Sequence, residues 1–262
     1  MPLSLRSFIH EFWMFGIKQA WACLFGGVML ALIIGSKLVW EDDWQLTRYD
    51  FLFIAALAVQ ALLLLFKLET WEEAKIIFIY HVVGTAMEVF KTYIGSWEYP
   101  EANMLRIGGV PLFSGFMYSC IGSYIVRSTH VMQLRYSGYP NLWATYILCA
   151  LIYLNFFTHH YAIDIRYGLF AFAALLYARC WVHFEVTNVP RRMPMLLAFV
   201  LIAFFIWIAE NIGTFTTTWK YPNQSAWELV SLGKLGSWFL LMIISFVLVT
   251  LVLKPITPGE KE

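Results

Sequence analysis

Long apolar runs separated by short polar stretches dominate the chain. A helix that crosses a bilayer needs about 20 mostly apolar residues. Eight stretches read that way: Ala20–Val39, Tyr49–Leu68, Glu73–Gly95, Ile107–Val126, Asn141–Thr158, Asp164–Phe184, Met195–Thr214 and Leu235–Leu253. Acidic residues at 41–43 end the first, and Lys67 can snorkel at the end of the second. Ahead of them, Leu5, Phe8, Ile9, Phe12 and Trp13 follow helical spacing, with Arg6, His10 and Glu11 on the other side. That suits a helix lying in the membrane interface, or simply the first turns of span one. The tail after Lys254 is short, polar and expected to be mobile. The fold expected is an all-α, polytopic membrane bundle of about eight helices.

One polar pattern occurs twice. Glu88 to Pro100 reads E-V-F-K-T-Y-I-G-S-W-E-Y-P, and Glu210 to Pro222 reads E-N-I-G-T-F-T-T-T-W-K-Y-P. Each runs Glu, eight residues, Trp, one residue, Tyr-Pro, and the offset is 122. Thr92 matches Thr214, and an aromatic follows each (Tyr93, Phe215). Shifted by the same 122, the first four spans fall approximately on the last four. Internal similarity of this kind predicts two parallel four-helix repeats, 1–135 and 136–262.

Charge and cysteine usage narrow the class. Only 13% of residues are charged and 60% are hydrophobic, against about 25% charged in soluble domains. The net charge of +1 gives no reason to expect a nucleic-acid partner. Cys23, Cys120, Cys149 and Cys180 lie in or beside apolar runs without C-x-x-C spacing, and read as small core residues. No short apolar core with a small-residue cleavage site marks a signal peptide. Basic residues near the span ends number eleven on the side of the N-terminus and seven on the other. That asymmetry places both termini in the cytoplasm and both Trp-x-Tyr-Pro motifs at the non-cytoplasmic surface.

Three constellations can carry chemistry. His81, Thr85, Glu88 and Thr92 share one helix face, with Lys91 beside it. A charge at the bilayer centre costs roughly 3 kcal/mol, so this stripe must face the bundle interior. Glu88 then serves as a proton donor or acceptor tuned by Lys91, or the two form an i, i+3 ion pair that makes the span tolerable. Glu210 has Gly213 where Glu88 has Lys91. Unequal surroundings are how a carboxylate pair divides into acid and base, and Glu210 is the expected proton-holding member. Alternatively, the motif preserves a helix-end cap. Trp97, Tyr99, Trp219 and Tyr221 suit a membrane-interface belt or an aromatic wall over a cationic ligand, where a Trp face contributes up to about 2 kcal/mol. His159, His160, Asp164 and Arg166 form the third group, a metal site or a hydrogen-bonded polar cap. His130 and His183 read as interfacial.

After the first motif comes G-G-V-P-L-F-S-G-F-M-Y (Gly108–Tyr118), where Gly-Gly and Pro suggest a bent entry into span four and the small residues permit close helix packing. With E-V-F-K-T-Y-I-G-S-W-E-Y-P, this string resembles the YoaT-like family of bacterial integral membrane proteins. The resemblance covers nearly the whole chain. It implies a multi-pass protein of the bacterial inner membrane, without an activity to carry over. Glu88, Trp97, Tyr99, Gly109 and Pro111 also resemble the outline of integral-membrane carotenoid cyclases and hydratases. Leu112, Phe113 and Ser114 stand where those cyclases carry an acidic pair.

Three functions are expected in turn. The first is a membrane enzyme doing acid–base chemistry on a lipid or isoprenoid near the non-cytoplasmic leaflet, with Glu210 donating and Glu88 accepting. The second is a small-solute or ion transporter or channel, since repeats with intramembrane charge are found in transporters. The third is a non-catalytic membrane scaffold or sensor in which the repeats only pack. Membrane lipids are the expected partners, with a lipid or isoprenoid as the candidate substrate. The sequence names no cofactor.

Overall fold

The computed structural model describes residues 5–41, 43–187, 189–222, 224–225 and 227–253. The tail expected to be mobile lies outside them, as does Asp42 of the acidic stretch. The described residues are mostly helical. Among the described residues, Arg48–Leu65, Met195–Phe215 and Leu232–Val252 are long and apolar enough to cross a membrane. A fourth span results if Leu5–Ala22 and Leu24–Val39 are counted as one.

Two compact units are built from separated stretches, and each draws on both expected halves, 1–135 and 136–262. One comprises Ala22–Arg127 and Trp207–Ser231. It holds α2 (Leu24–Val39), α3 (Arg48–Leu65), α4 (Trp71–Tyr93), a short hairpin of β1 (Arg106–Ile107) and β2 (Val110–Pro111), and most of α5 (Phe113–Val131). The last turns of α8 (Met195–Phe215) belong here too. Thr70 and Glu73 start α4 with a reciprocal capping box, which satisfies two orphan donors of the first turn.

Span four was expected to begin at Ile107. Residues 106–111 instead form the hairpin, turning at Gly108 (φ +55°) and Gly109 (φ +84°). Two consecutive positive φ values match the tight hairpin turn that suits strand twist, and glycine adopts them without a Cβ penalty. Asp50, at the start of α3, fixes the approach to this hairpin. Its carboxylate accepts the backbone N–H of Met104 (2.9 Å) and Leu105 (2.8 Å) and the side chains of Asn103 (3.2 Å) and Thr47 (2.7 Å).

The other unit comprises the described residues of 1–21, 128–206 and 232–262. It contains α1 (Leu5–Ala22), β3 (Arg135–Ser137), α6 (Leu142–Thr158), α7 (Arg166–Tyr177), β4 (Trp181–Glu185), β5 (Pro190–Pro194) and α9 (Leu232–Val252). The three strands form an antiparallel sheet in the order β3-β4-β5. This corrects the expectation that span six runs from Asp164 to Phe184: the helix ends at Tyr177, and W-V-H-F-E is a strand. Trp181, Val182 and Phe184 are aromatic and β-branched types, which favour a pleated surface over a helix. The N-terminal segment is a helix of its own, and its apolar side is the exposed one, with Phe12 at 70% and Trp13 at 69%. Glu11 is turned inward to a two-bond ion pair with Arg191 (2.9 and 2.6 Å). All four cysteines are free; Cys149 and Cys180 are buried, but Cys23 is exposed rather than in the core.

Asp50→Ala removes the acceptor for two backbone donors of the 104–105 turn. A buried donor left without a partner costs about 1–3 kcal/mol. The thermal midpoint of the purified variant should therefore fall by several degrees, while Asp50→Asn should recover part of the loss.

Candidate functional site

The two Glu-to-Pro copies fold alike. At the end of α4 the chain reverses with Gly95 N–H on Thr92 O (3.1 Å) and Ser96 N–H on Lys91 O (2.9 Å). At the end of α8, Thr217 N–H meets Thr214 O (3.0 Å) and Thr218 N–H meets Gly213 O (2.9 Å). These are the same two bonds, 122 residues on. Paired reversals of this kind close a helix through a left-handed residue. Gly95 takes that conformation at φ +73°, and Thr217 takes it at φ +53°.

Each reversal carries the following Trp and Tyr back over the helix to its glutamate. Trp97 Nε1–H donates to Glu88 Oε2 at 2.6 Å, and Tyr99 O–H donates to the same oxygen at 2.7 Å. Trp219 Nε1–H donates to Glu210 Oε1 at 3.1 Å, and Tyr221 O–H donates to it as well. Glu88 and Glu210 are both buried. The two copies are joined by a reciprocal backbone bridge, Glu98 N–H to Lys220 O (2.9 Å) and Lys220 N–H to Glu98 O (3.0 Å). Trp97 and Tyr221 meet edge to face with centroids 6.0 Å apart. Tyr221 lies close enough to both carboxyls to feel the charge of each. Burial and the Glu88 carboxylate push the Tyr99 phenol far above its ordinary range, and burial and Glu210 do the same for Tyr221.

The structure adds groups that sequence reasoning missed. Tyr118 of α5 donates its O–H to Glu88 Oε1 at 2.8 Å, so both oxygens of that carboxyl are engaged. Its ring lies over Gly84, where an added Cβ would stand 2.6 Å from the nearest ring carbon. The buried Arg48 guanidinium grips Glu101 (2.9 Å from Nε) and reaches Thr218 Oγ1 (3.3 Å), while Tyr49 O–H donates to Thr218 O (2.8 Å). These bonds tie the start of α3 to the segments that carry both motifs. The only signal for them in the sequence was the residue types themselves, since no periodicity links position 118 or 48 to either motif.

Of the remaining candidates, Lys91 is buried, with its ammonium 5.9 Å from the Phe90 ring centroid. Gly213, at the equivalent place, is filled by the Trp219 ring: any side chain there would overlap the indole. His81 stacks on Phe116 with centroids 4.3 Å apart, and its Nδ1 is buried without a hydrogen-bond partner. His159, His160, Asp164 and Arg166 lie in the other unit. There Asp164 accepts from Asn155 Nδ2 (3.0 Å) and Arg166 N–H (2.9 Å) and pairs with the Arg166 guanidinium (3.2 Å). Burial raises this carboxyl, but those donors and the Arg166 charge hold it below the usual range. His159 Nδ1 lies 2.8 Å from Asn155 O. Among the described residues, no three His, Cys, Asp or Glu side chains converge to hold a metal ion.

Two substitutions with opposite signs test the reversal geometry. Gly213→Ala forces a methyl into the Trp219 ring, and overpacking of this kind costs about 1–3 kcal/mol. Thr217→Gly relieves a β-branched residue in left-handed backbone, where an L side chain costs roughly 1–2 kcal/mol. Chemical denaturation should give a lower midpoint for the first and an equal or higher one for the second.

Residues 11–246 match the family model described as "Protein of unknown function (DUF817)". The chain is 43% identical over 247 residues to the "Uncharacterized protein YoaT" of Bacillus subtilis (strain 168), covering 94% of this chain and 91% of that protein. Neither description names a carotenoid enzyme. No solved structure matches. With a match across most of its length and a relative this similar, the chain belongs to the DUF817, or YoaT-like, family.

Proposed function

We propose that this chain is a multi-pass membrane protein whose twin glutamate cluster does acid–base chemistry on a lipid or isoprenoid. The observation that carries the reading is that Glu88 and Glu210 are each buried and held by their own Trp and Tyr, on segments joined by the Glu98–Lys220 bridge and the Trp97–Tyr221 contact. Buried ionisable residues in apolar helices are expensive, and function is the usual reason for keeping them. In this reading Glu210 gives a proton and Glu88 takes one. Lys91, one turn beyond Glu88, suits the accepting member, while Gly213 puts no cation at the matching place beside Glu210. Trp97, Tyr99, Trp219 and Tyr221 shield a positive charge as it develops on the substrate.

The membrane arrangement proposed is eight spans in two parallel four-helix repeats. Helices α2 to α9 follow the eight expected spans in order, which supports it, although α7 has only 12 residues. Both termini are cytoplasmic in this arrangement, the membrane is the bacterial inner membrane, and the cluster sits toward the non-cytoplasmic leaflet. His159, His160, Asp164 and Arg166 act as a polar cap between α6 and α7. A second reading, proton-coupled transport, is favoured by one observation. Along α4, His81 with its unpartnered Nδ1 precedes buried Thr85, Glu88 and Lys91.

The test compares total lipid extracts of cells making the wild type, Glu88→Gln or Glu210→Gln at matched protein levels. General acid–base groups contribute about 10²–10⁴-fold, so one lipid or isoprenoid species should fall to background in either variant. Identical extracts from all three would sink the enzyme. Proton uptake by vesicles containing the wild type but not the variants would then support transport.

A further inference from the structure

A second buried carboxyl lies at the other end of α4 from Glu88. Between α3 and α4 the chain turns at Lys67 (φ +54°), and both Leu68 N–H and Glu69 N–H reach Leu63 O (2.9 and 3.2 Å). This turn points the Glu69 side chain inward, leaving the residue 5% exposed. Gln60 of α3 donates its Nε2–H to Glu69 Oε2. The other half of the pair is unfinished. Gln60 Oε1 and Glu69 Oε1 are both buried and neither has a hydrogen-bond partner.

An ionised carboxylate and an amide oxygen are both acceptors, so they cannot satisfy one another. A buried acceptor left unmade costs about 1–3 kcal/mol, and here there are two. One proton on Glu69 Oε1 removes both deficits, because a carboxylic acid and a primary amide each carry one donor and one acceptor, side by side. We propose that Glu69 is a proton-binding site whose acid form closes a two-bond ring with the Gln60 amide, giving Oε1–H to Gln60 Oε1 while accepting Nε2–H. Uptake adds one proton from water to the carboxylate, and release returns it; no other bond changes.

The groups facing Glu69 are Gln60 from α3, Glu73 from α4, and Ser123 and Arg127 from α5. Burial pushes Glu69 up from its ordinary value, and the Glu73 charge adds to that. The Gln60 contact, the Arg127 charge and the Ser123 hydroxyl work the other way. The competing state is therefore an ionised Glu69 paired electrostatically with Arg127. From Glu73 to Glu88 the α4 backbone rises about 22 Å, at roughly 1.5 Å per residue. The proposal does not depend on the twin cluster being catalytic.

Glu69→Gln separates the two states, because an amide can keep both bonds of the ring but cannot pair with Arg127. The full-length protein in detergent is followed by infrared spectroscopy and thermal unfolding across the neutral range. The wild type should show a protonated-carboxyl carbonyl band that disappears in Glu69→Gln and persists in Glu88→Gln with Glu210→Gln. A carboxyl raised on folding stabilises least at high pH. The wild-type midpoint should thus fall as pH rises above the ordinary carboxylate range, and that fall should flatten in Glu69→Gln. At neutral pH the variant's midpoint should equal or exceed the wild type's. A variant that loses several degrees with no change in the carboxyl band would show Glu69 ionised on Arg127 and overturn the proposal.

Discussion

A carboxyl group withdrawn from water must be given donors, and the rest of this site follows from how the chain supplies them. Helices α4 and α8 carry their glutamates inward near their C-terminal ends, where no helical backbone N–H is free to help. The donors come from the segment that follows, nine and eleven residues further on. In an extended segment alternate side chains point the same way. Trp97 and Tyr99 therefore reach one carboxyl together, as do Trp219 and Tyr221, while the residue between them turns outward and uses its backbone to join the copies. Proline then ends each segment without needing a donor of its own.

The aromatic donors can approach only because their neighbours are small. Gly84 makes room for Tyr118 and Gly213 for Trp219. The second case also explains why the copies differ. A lysine cannot occupy position 213 with the Trp219 ring already there, whereas the first copy has Lys91 in the matching place. Arg48, Tyr49 and Asp50, three consecutive residues at the start of α3, then fasten Glu101, Thr218 and the 103–105 turn. The cluster is thus held from outside by a single helix end.

The spacing of Glu, Trp, Tyr and Pro makes the twin motif legible in the sequence, because both partners of each bond lie within one short stretch. Helix starts were readable within a few residues where a capping side chain opens the apolar run, as at Thr70 and Asn141. Tyr118 was not, since its partner lies 30 residues away on another helix. The β3-β4-β5 sheet was hidden for a related reason. W-V-H-F-E follows the apolar run of α7 with only Arg179 as a charge between them, its partner β5 carries two prolines and two arginines that read as a loop, and β3 lies a helix pair upstream. Glu69 escaped notice because a loop glutamate ordinarily reads as solvated, and only a turn at Lys67 sends it inward.

The bridge between the copies sets Glu98 directly opposite Lys220. Side chains facing one another across an antiparallel pair attract when their charges differ and repel when they match. Two identical half-length chains meeting at this seam would place glutamate against glutamate or lysine against lysine. Carrying both copies on one polypeptide lets each side of the seam take its own sign, a complementarity that a symmetric partnership of equals is denied.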